Sequence, residues 1–576
     1  MKQLLAYMKH YKKESILAPL FKMLEAGFEL FVPLVMASMI DRGIVQKNQS
    51  HILYMGLILV ALALVGLTAS LTAQYFAAKA AVGVSADLKH ELFSHIQKLS
   101  FSKLDEVGTS TMITRMTSDM NQVQNGVNLI LRLFLRSPFI VLGAMVMAFT
   151  IDVKAALVFV IAIPLLCVVV FGVMLASIPM YKKVQNALDK VLGRTREHLT
   201  GARVIRAFGT QDTERELFEE ENETLNHIQN VVGRLSAMMN PVTYVIINGA
   251  IIALIWIGGL RVDSGAITQG EVVALVNYMS QILVELVKLA NLIISVNKAV
   301  ACGNRIQDVL NLEPGLEMRE NETESLTQSE YEVVYDHVSL VYPGNGDNSL
   351  HDICLKVKKG ETIGIIGGTG SGKTSLVQLI PRFYDITQGK LLVQGVEVSE
   401  QNLTKLRHKV AIVQQKSVLF QGTIRSNLLW GNEEATEEEL WEALRIAQAD
   451  EIVRGKDGQL DAVVEQEGKN FSGGQRQRLS IARALVRKPD ILIMDDSASA
   501  LDYATDARLR QSLRESLKDM TVFIVSQRAM SVRNAHKILV LEEGEAVGLG
   551  THDELLADCD VYREIYESQY GKEAAE

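Results

Sequence analysis

This sequence has few cysteines and few charged residues, and its basic residues do not outnumber its acidic ones. Charged residues make up 22% of the 576 residues and apolar residues 48%, which is less charge than a soluble chain of this size normally carries. The same composition excludes a disordered or collagen-like chain. The net charge of -9 argues against a nucleic-acid partner, which would need a basic face. Part of the chain is therefore predicted to face lipid.

The four cysteines are widely separated and form no CxxC pair. Their scatter argues against a disulfide scaffold and fits no metal-site spacing. We expect them to be ordinary reduced residues of the core. They are Cys167, Cys302, Cys354 and Cys559.

Long apolar runs are confined almost entirely to residues 1–310. A bilayer core requires about 20 apolar residues per helix, and six stretches meet this requirement. The first begins too early and runs too long to be a cleaved signal peptide. We predict an all-α membrane domain of six spans over residues 1–310. The spans lie near residues 16–40, 52–80, 127–151, 155–178, 238–260 and 271–297.

Basic residues are unequally divided between the two sides of these spans. They precede the first span and crowd the long segment at 179–237, whereas the opposite loops offer only Arg42, Lys47, Lys154 and Arg261. Because Lys and Arg concentrate on the cytoplasmic side, both termini are predicted to be cytoplasmic in a multi-pass protein of the cell membrane.

Two of the connecting segments, 81–126 and 179–237, are unusually long and helical in pattern. Long loops without structure of their own are uncommon, so we predict helices that project into the cytoplasm. Each segment has a point where a helix can reverse, at residues 100–105 and from Gly201 onward.

Several ionisable residues fall within the predicted spans. Such groups usually face a bundle interior or a water-filled cavity. Two compatible interpretations remain open: they pair with one another to hold helices in register, or they line a substrate pathway. The residues are Lys22, Glu25, Glu29, Arg132, Arg136, Glu285 and Lys288.

The chain changes character after the last span. Residues 311–332 are acidic and rich in Ser, Thr and Asn, as is typical of a solvated linker. Residues 333–576 alternate short Val/Ile/Leu strands with helical stretches, which predicts a cytoplasmic α/β domain.

A glycine-rich loop follows the predicted strand 362–366 and precedes a predicted helix at 375–380. This strand, loop and helix form a phosphate-binding P-loop, in which backbone N–H groups and a lysine hold phosphate oxygens while a hydroxyl can ligate Mg²⁺. The predicted phosphate-binding residues are Gly367, Gly368, Thr369, Gly370, Ser371, Gly372, Lys373, Thr374 and Ser375.

Two further motifs lie downstream of this loop. Asp495 ends an apolar strand, as expected of a Walker B aspartate that holds Mg²⁺. Ser472, Gly473, Gly474 and Gln475 open a helical pattern, where a hydroxyl and free N–H groups make a second anion site.

The run from Ser472 to Gln475 resembles the signature motif of ATP-binding cassette (ABC) proteins. The resemblance implies that this signature contacts ATP bound to a second cassette. It also implies that Tyr342 stacks on adenine, that Gln415 is the Q-loop glutamine near the metal, and that Ser499, Ala500, Leu501 and Asp502 form the D-loop.

The resemblance extends to the membrane part. Residues 101–119 and 201–208 look like the two coupling-helix regions of ABC exporters, and six spans before one cassette is the half-transporter arrangement. The expected fold is thus an ABC-exporter membrane domain followed by an α/β P-loop cassette. ATP and Mg²⁺ are the implied cofactors, with Thr374, Gln415 and Asp495 near the metal.

Three positions, and the segment 465–468 before the signature, depart from the family pattern. Asp496 stands where the family usually has the general-base glutamate, Gln527 replaces a histidine, and Gln414 replaces a proline. A positioned general base contributes about 10²- to 10⁴-fold in rate. With Asp496, Gln527 and Gln415 as its catalytic candidates, this chain is predicted to hold ATP well and hydrolyse it poorly, unless the enzyme tolerates aspartate or the site is decaying.

This pattern resembles the degenerate-site subunit of bacterial heterodimeric multidrug exporters. It implies a second half-transporter subunit with intact Glu and His, a lipophilic small-molecule substrate and contact with membrane lipid, without nucleic acid. The favoured function is ATP-driven export of amphipathic drugs or lipophilic compounds. The alternatives are a lipid flippase, a siderophore importer or an ATP-sensing regulator.

Overall fold

A computed structural model describes residues 4–315, 329–342, 349–497, 500–516 and 519–571. The chain forms two compact units, Met1–Gln97 with Ser110–Leu312 and Lys98–Thr109 with Glu313–Glu576. The first is called the membrane unit and the second the cassette unit. Residues 98–109, which the sequence places in the membrane domain, cluster with the cassette.

Within the part of the chain that the structure describes, the membrane unit contains six helices that are long and apolar enough to cross a bilayer, which confirms the predicted spans. Their outward faces carry large apolar side chains such as Leu57, Ile161 and Trp256, whereas small residues such as Ala144 and Ala274 pack inside. This arrangement suits a lipid solvent, where close helix contact depends on small side chains. The six helices are Lys12–Ile44, Gln49–Lys98, Thr109–Ile151, Val153–Thr200, Gln211–Asp263 and Gln269–Leu310.

Several of these helices contain interruptions, so the chain divides into eleven α-helical segments up to Leu310. A π-helical turn at Met39–Ile44 ends the first span, another at Arg115–Asp119 joins α5 to α6 within the third span, and the third span breaks between Leu133 and Arg136. The segments are α1 (Leu4–Tyr7), α2 (Lys12–Ser38), α3 (Gln49–Lys98), α4 (Phe101–Val107), α5 (Thr109–Thr114), α6 (Met120–Leu133), α7 (Arg136–Ile151), α8 (Val153–Thr200), α9 (Ala202–Phe208), α10 (Gln211–Asp263) and α11 (Gln269–Leu310).

The two predicted reversal points are confirmed. Ser100 caps α4 by accepting a hydrogen bond from the Lys103 N–H, and Gly108 with φ +79° ends that helix. The second break falls at Gly201, before α9, which ends at Gly209 in the left-handed conformation. Glycine meets no Cβ penalty there, which is why both short helices stop where they do.

The ionisable residues of the spans are largely paired. Arg136 donates to Glu29 at 2.6 Å and to Glu285 at 2.7 Å, and Lys288 approaches Glu285 at 2.9 Å. Lys22 pairs with Glu25 at 2.6 Å. Pairing therefore connects the first, third and sixth spans, in agreement with the first of the two interpretations.

The cassette unit is built on a six-stranded sheet of order β12-β11-β3-β10-β9-β6, flanked by a four-stranded antiparallel sheet of order β2-β1-β4-β5. A β7-β8 pair is separate. The strands are β1 (Tyr331–Leu340), β2 (Leu350–Lys358), β3 (Thr362–Gly367), β4 (Gln388–Val393), β5 (Val396–Glu397), β6 (Val410–Val413), β7 (Gly422–Thr423), β8 (Val463–Val464), β9 (Ile491–Asp495), β10 (Thr521–Val525), β11 (Lys537–Glu542) and β12 (Glu545–Gly550).

Helices cover the six-stranded sheet, as expected for an α/β domain. They are α12 (Lys373–Leu379), α13 (Leu403–Lys409), α14 (Ile424–Leu428), α15 (Glu437–Ile446), α16 (Asp450–Arg454), α17 (Gly473–Val486), α18 (Tyr503–Ser516), α19 (Ala529–Val532), α20 (His552–Asp558) and α21 (Asp560–Tyr570). β1 begins at Tyr331, slightly before the predicted start of the domain at 333. Within the linker, residues 316–328 lie outside the described part.

One expectation about the cysteines is wrong. All four are free, but Cys354 is exposed and Cys167 is only partly buried. Cys354 lies on β2, whose residues alternate between buried and exposed positions, and it occupies an outward position between buried Ile353 and Leu355. The pleat of the strand, which the composition does not reveal, decides this exposure.

Candidate nucleotide-binding site

The candidate site forms at the carboxyl ends of three neighbouring parallel strands. β10 pairs with β3 and with β9, so that Val525 lies opposite both Ile365 and Asp495. The P-loop follows β3, Asp495 ends β9, and Gln527 follows β10. Ligands of open α/β sheets bind at this edge.

Two glycines shape the P-loop. A Cβ at Gly367 would collide with the carbonyl oxygen of Leu541, and Gly372 has φ +90°. Because Gly372 completes the turn in this left-handed conformation, α12 begins at Lys373 rather than at the predicted Ser375.

Lys373 is buried and folded back onto the loop. Its Nζ donates to the carbonyl oxygen of Gly367 at 2.9 Å, to that of Gly368, and to Ser371 Oγ at 3.3 Å. Burial lowers the pKa of Lys373, and the carboxylates of Asp496 and Asp495 partly oppose this shift. A buried cation among neutral acceptors is well suited to receive the charged oxygens of a phosphate.

Thr374 and Asp495 form the second half of the site. The Thr374 hydroxyl donates to Asp495 Oδ1 at 2.9 Å. Burial raises the pKa of Asp495, and the neighbouring Asp496 carboxylate adds to the rise. A hydroxyl beside a carboxylate is the oxygen donor set that Mg²⁺ prefers next to phosphates. The residues therefore fit the predicted metal, with Gln415 adjacent.

Asp496 lies directly beside this pair and is held by Gln415. Gln415 Nε2 donates to Asp496 Oδ2 at 3.2 Å. Asp496 has φ +43°, which is unusual for a residue with a side chain and is typical of functional turns. Burial raises the pKa of Asp496, whereas the Lys373 and Arg528 cations act in the opposite direction.

A cavity of about 460 Å³ gathers most of the predicted residues. It brings together Thr369–Ser375 of the P-loop with Gln415, Asp495, Asp496 and Gln527. Ser349, Glu543 and Gly544 also line it, although the sequence analysis did not single them out. Their only signal in the sequence is that they flank strand ends, which is too common to be informative.

Tyr342 lies next to the P-loop helix. Its hydroxyl donates to Ser375 Oγ at 3.0 Å, and its ring packs edge-on against Tyr384 with centroids 5.0 Å apart. The ring is therefore fixed close to the loop, although Tyr342 is not among the residues that line the cavity.

The signature residues lie elsewhere in the cassette. Ser472 caps α17 by accepting from the Gln475 N–H, and Gln475 Oε1 accepts from the Ser472 N–H at 2.9 Å. Nothing within 4 Å blocks a Cβ at Gly473, whereas Gly474 approaches the Ala500 carbonyl. Among the residues the structure describes, none of Ser472, Gly473, Gly474 and Gln475 lines the P-loop cavity.

The predicted D-loop is only partly within the described residues, because Ser499 lies outside them. Asp502 caps α18 by accepting from the Thr505 N–H at 2.9 Å and from its hydroxyl at 2.8 Å. Arg528, which the sequence analysis missed, lies over the Tyr503 ring and donates to the Leu501 carbonyl at 3.4 Å. In the sequence, Arg528 is marked only by its position next to Gln527.

Comparison with known proteins identifies the family. Residues 15–286 match the family described as the ABC transporter transmembrane region, and residues 350–499 match the family described as ABC transporter. An uncharacterised ABC transporter ATP-binding protein of Mycobacterium tuberculosis is 34% identical over 569 residues, with 98% of this chain and 97% of that protein covered.

Two other relatives carry functional names. A putative multidrug export ATP-binding/permease protein of Bacillus subtilis is 31% identical, with 99% of this chain and 98% of that protein covered. An ATP-dependent lipid A-core flippase of Syntrophus aciditrophicus is 30% identical, with 84% and 80% covered.

A solved structure has the same fold. A bacterial Atm1-family ABC exporter with ATP bound superposes with a TM-score of 0.78 at 20% identity, covering 98% of this chain and 99% of that one.

The fold and the site define an ABC exporter half-transporter. The chain belongs to the ABC transporter family, as a multi-pass protein of the plasma membrane with a cytoplasmic cassette. Its ABC ATPase domain implies that it binds ATP and acts as an ATP-hydrolysing transporter. Half-transporters of this kind commonly pair or dimerise.

Proposed function

We propose that this chain is the degenerate-site half of a heterodimeric ABC exporter for amphipathic or lipophilic compounds. The observation that carries the proposal is the aspartate at position 496. It lies in the nucleotide cavity, beside Lys373 and Asp495, and its carboxylate is held by Gln415 at 3.2 Å. The general-base position is thus filled by a side chain that is one methylene shorter than the family's glutamate.

The chain's own residues are equipped for nucleotide binding. Lys373 and the loop N–H groups hold the phosphates, and Tyr342 stacks on the adenine. Thr374, Asp495 and Gln415 would hold Mg²⁺, which would supply positive charge to offset that of the phosphates. The Thr374 hydroxyl and the Asp495 carboxylate are already 2.9 Å apart, which supports this assignment.

Hydrolysis at this site is slow because two contributions are reduced. The shorter Asp496 carboxylate stands back from the attacking water, so general-base assistance worth about 10²- to 10⁴-fold is largely lost. The Gln527 amide donates a hydrogen bond but cannot become a cation. ATP is therefore retained at this site between transport cycles.

The signature serves the second site. Ser472 and Gly474 stand at the start of α17, outside the chain's own P-loop cavity and with open space at Gly473. They complete the nucleotide site of a partner half-transporter that carries the Glu and His. The partner's site is the main site of hydrolysis, and cassette closure over two ATP molecules drives the membrane helices.

The relatives and the membrane unit support this choice of substrate class. One relative is named as a putative multidrug exporter, and the polar cluster at Arg136 and Glu285 provides mixed polarity within an otherwise apolar bundle. A lipid substrate is the second candidate, because another relative is named as a lipid A-core flippase. The working signature motif disfavours a regulator that transports nothing.

The proposal is tested on the complex purified from native membranes. Intact mass should reveal a second, different chain of similar size at a one-to-one ratio. In that complex, Asp496→Glu with Gln527→His should raise the ATPase rate of this site at least about tenfold. The matched control, Asp496→Asn with Gln527→His, has no base and should show no gain. A homodimer, or equal rates for both double variants, contradicts the proposal.

A further inference from the structure

We propose that the cassette carries a surface site for a thiolate-binding divalent cation of the Zn²⁺ class, formed by His337, Asp352 and Cys354. These three side chains are exposed, and their ligand atoms all lie within 4.8 Å of one another. None of them lines the nucleotide cavity. The inference is therefore independent of the proposed transport function.

Two bulges bring the three residues together across the β1-β2 pair. Asp336 and His337 stand opposite Cys354 alone, between the pairs Tyr335↔Leu355 and Val338↔Ile353. The extra residue on β1 turns the His337 side chain towards Cys354. Bulges often re-aim a side chain in this way next to functional sites.

The second bulge lies on β2. His351 and Asp352 stand opposite Ser339 alone, on the other side of the Val338↔Ile353 pair. His337 has φ +52° and Asp352 has φ +49°, so both bulge residues adopt the left-handed backbone that side chains rarely occupy. The two bulges together place an imidazole and a carboxylate on the same face as the thiol.

His337 and Asp352 are in direct hydrogen-bond contact, so binding of a tetrahedral cation requires the two side chains to rotate apart. His337 Nδ1 lies 2.6 Å from Asp352 Oδ1. Bonds of about 2.0 Å to nitrogen or oxygen and about 2.3 Å to sulfur place tetrahedral ligands about 3.3–3.8 Å apart. Because all three side chains are exposed, the rotations meet little resistance from packing.

The ligand set selects the metal. Imidazole, carboxylate and thiolate together favour Zn²⁺ and similar ions, whereas Mg²⁺ and Ca²⁺ prefer oxygen alone. Three protein ligands leave a fourth position for water. A simple ion pair between His337 and Asp352 would not involve Cys354. Participation of the Cys354 thiol therefore distinguishes a metal site from an ion pair.

Co²⁺ provides the probe, because its bond to a thiolate gives a charge-transfer band that oxygen ligands do not produce. The full-length complex is titrated with Co²⁺ without nucleotide, in a reductant that contains no thiol. The intensity of the band should reach its maximum at one Co²⁺ per copy of this chain. Cys354→Ser should abolish the band, and His337→Gln should weaken Co²⁺ binding at least about tenfold.

The matched control is Cys167→Ser, which removes a thiol in the membrane unit and should leave the band unchanged. ATP binding should be normal in all three variants, which shows that they are folded. Absence of the band, its persistence in Cys354→Ser, or equal Co²⁺ affinity in every variant would mean an adventitious ion only and would overturn the inference.

Discussion

Arg136 and Glu285, which are 149 residues apart in the chain, form a buried ion pair at 2.7 Å between the third and sixth spans. Arg136 also contacts Glu29, so the guanidinium bridges two carboxylates at the point where the third span is interrupted. The pair therefore connects three spans through a single side chain.

Arg136→Met should strongly destabilise the membrane unit. It leaves the buried Glu285 without its arginine but with Lys288 still 2.9 Å away, so the loss should stay below the roughly 3–5 kcal/mol of a buried charge left with no partner. Thermal unfolding of the purified protein measures the loss. Arg215→Ala is the control, because its pair with Glu219 is exposed to solvent and should contribute little to stability. Equal stability of the two variants would show that the buried pair carries no such energy.

Asp495→Asn should stabilise the nucleotide-free cassette while removing Mg²⁺-dependent ATP binding. The pKa of Asp495 is raised in the folded state by burial and by Asp496. The folded protein therefore holds this proton more tightly than the unfolded chain, and stability falls as pH rises from the unfolded pKa through the folded one. Because asparagine does not ionise, the variant does not lose this stability at neutral pH.

The same shift sets the acid limit of ATP binding. Metal binding needs the ionised carboxylate, so Mg²⁺-dependent affinity should decline at a higher pH than the ordinary aspartate pKa of about 3.9. Unfolding curves and ATP affinity are measured across pH for wild type and Asp495→Asn. A variant whose stability follows the same pH profile as wild type would contradict this prediction.

Phe101→Ala should uncouple substrate stimulation from ATP hydrolysis. The Phe101 ring packs against Phe383 with centroids 4.6 Å apart, and Asp105 on the same helix accepts from the Tyr384 hydroxyl at 2.7 Å. α4 is thus fixed to the cassette next to the tyrosine that packs on Tyr342. Truncation should reduce substrate-stimulated ATPase several-fold while ATP binding persists.

Tyr384→Phe serves as the comparison for Phe101→Ala, because it removes the hydrogen bond but keeps the ring. Substrate-stimulated ATPase activity should fall less in Tyr384→Phe than in Phe101→Ala. ATPase rates are measured with and without transport substrate. Unchanged stimulation in Phe101→Ala would show that α4 does not transmit the signal.

Ser472→Ala should lower the ATPase rate of the whole complex by more than its effect on folding explains. Ser472 caps α17, and losing such a cap costs about 1 kcal/mol. Thr436 caps α15 with the same reciprocal geometry, so Thr436→Ala should cost similar stability with a normal rate. If both variants lose activity equally, the signature has no role beyond capping.

Much of the architecture was predictable because its signals are local. Apolar runs of membrane length marked the six spans, and the breaks at residues 100–105 and at Gly201 marked the points where the projecting helices reverse. The start of α12 was misplaced because Gly372, with its left-handed backbone, allows the helix to begin at once. The exposure of Cys354 was missed because it depends on the register of β2.

The sequence by itself determined the family, the spans and the order of the nucleotide-binding motifs, because each depends on residues adjacent in the chain. Only the tertiary structure decided that Gln415 holds Asp496, that Arg136 bridges Glu29 and Glu285, and that His337 meets Cys354. These contacts join residues distant in the chain. Strand register and helix packing select them, and no local pattern encodes which partner a side chain will meet.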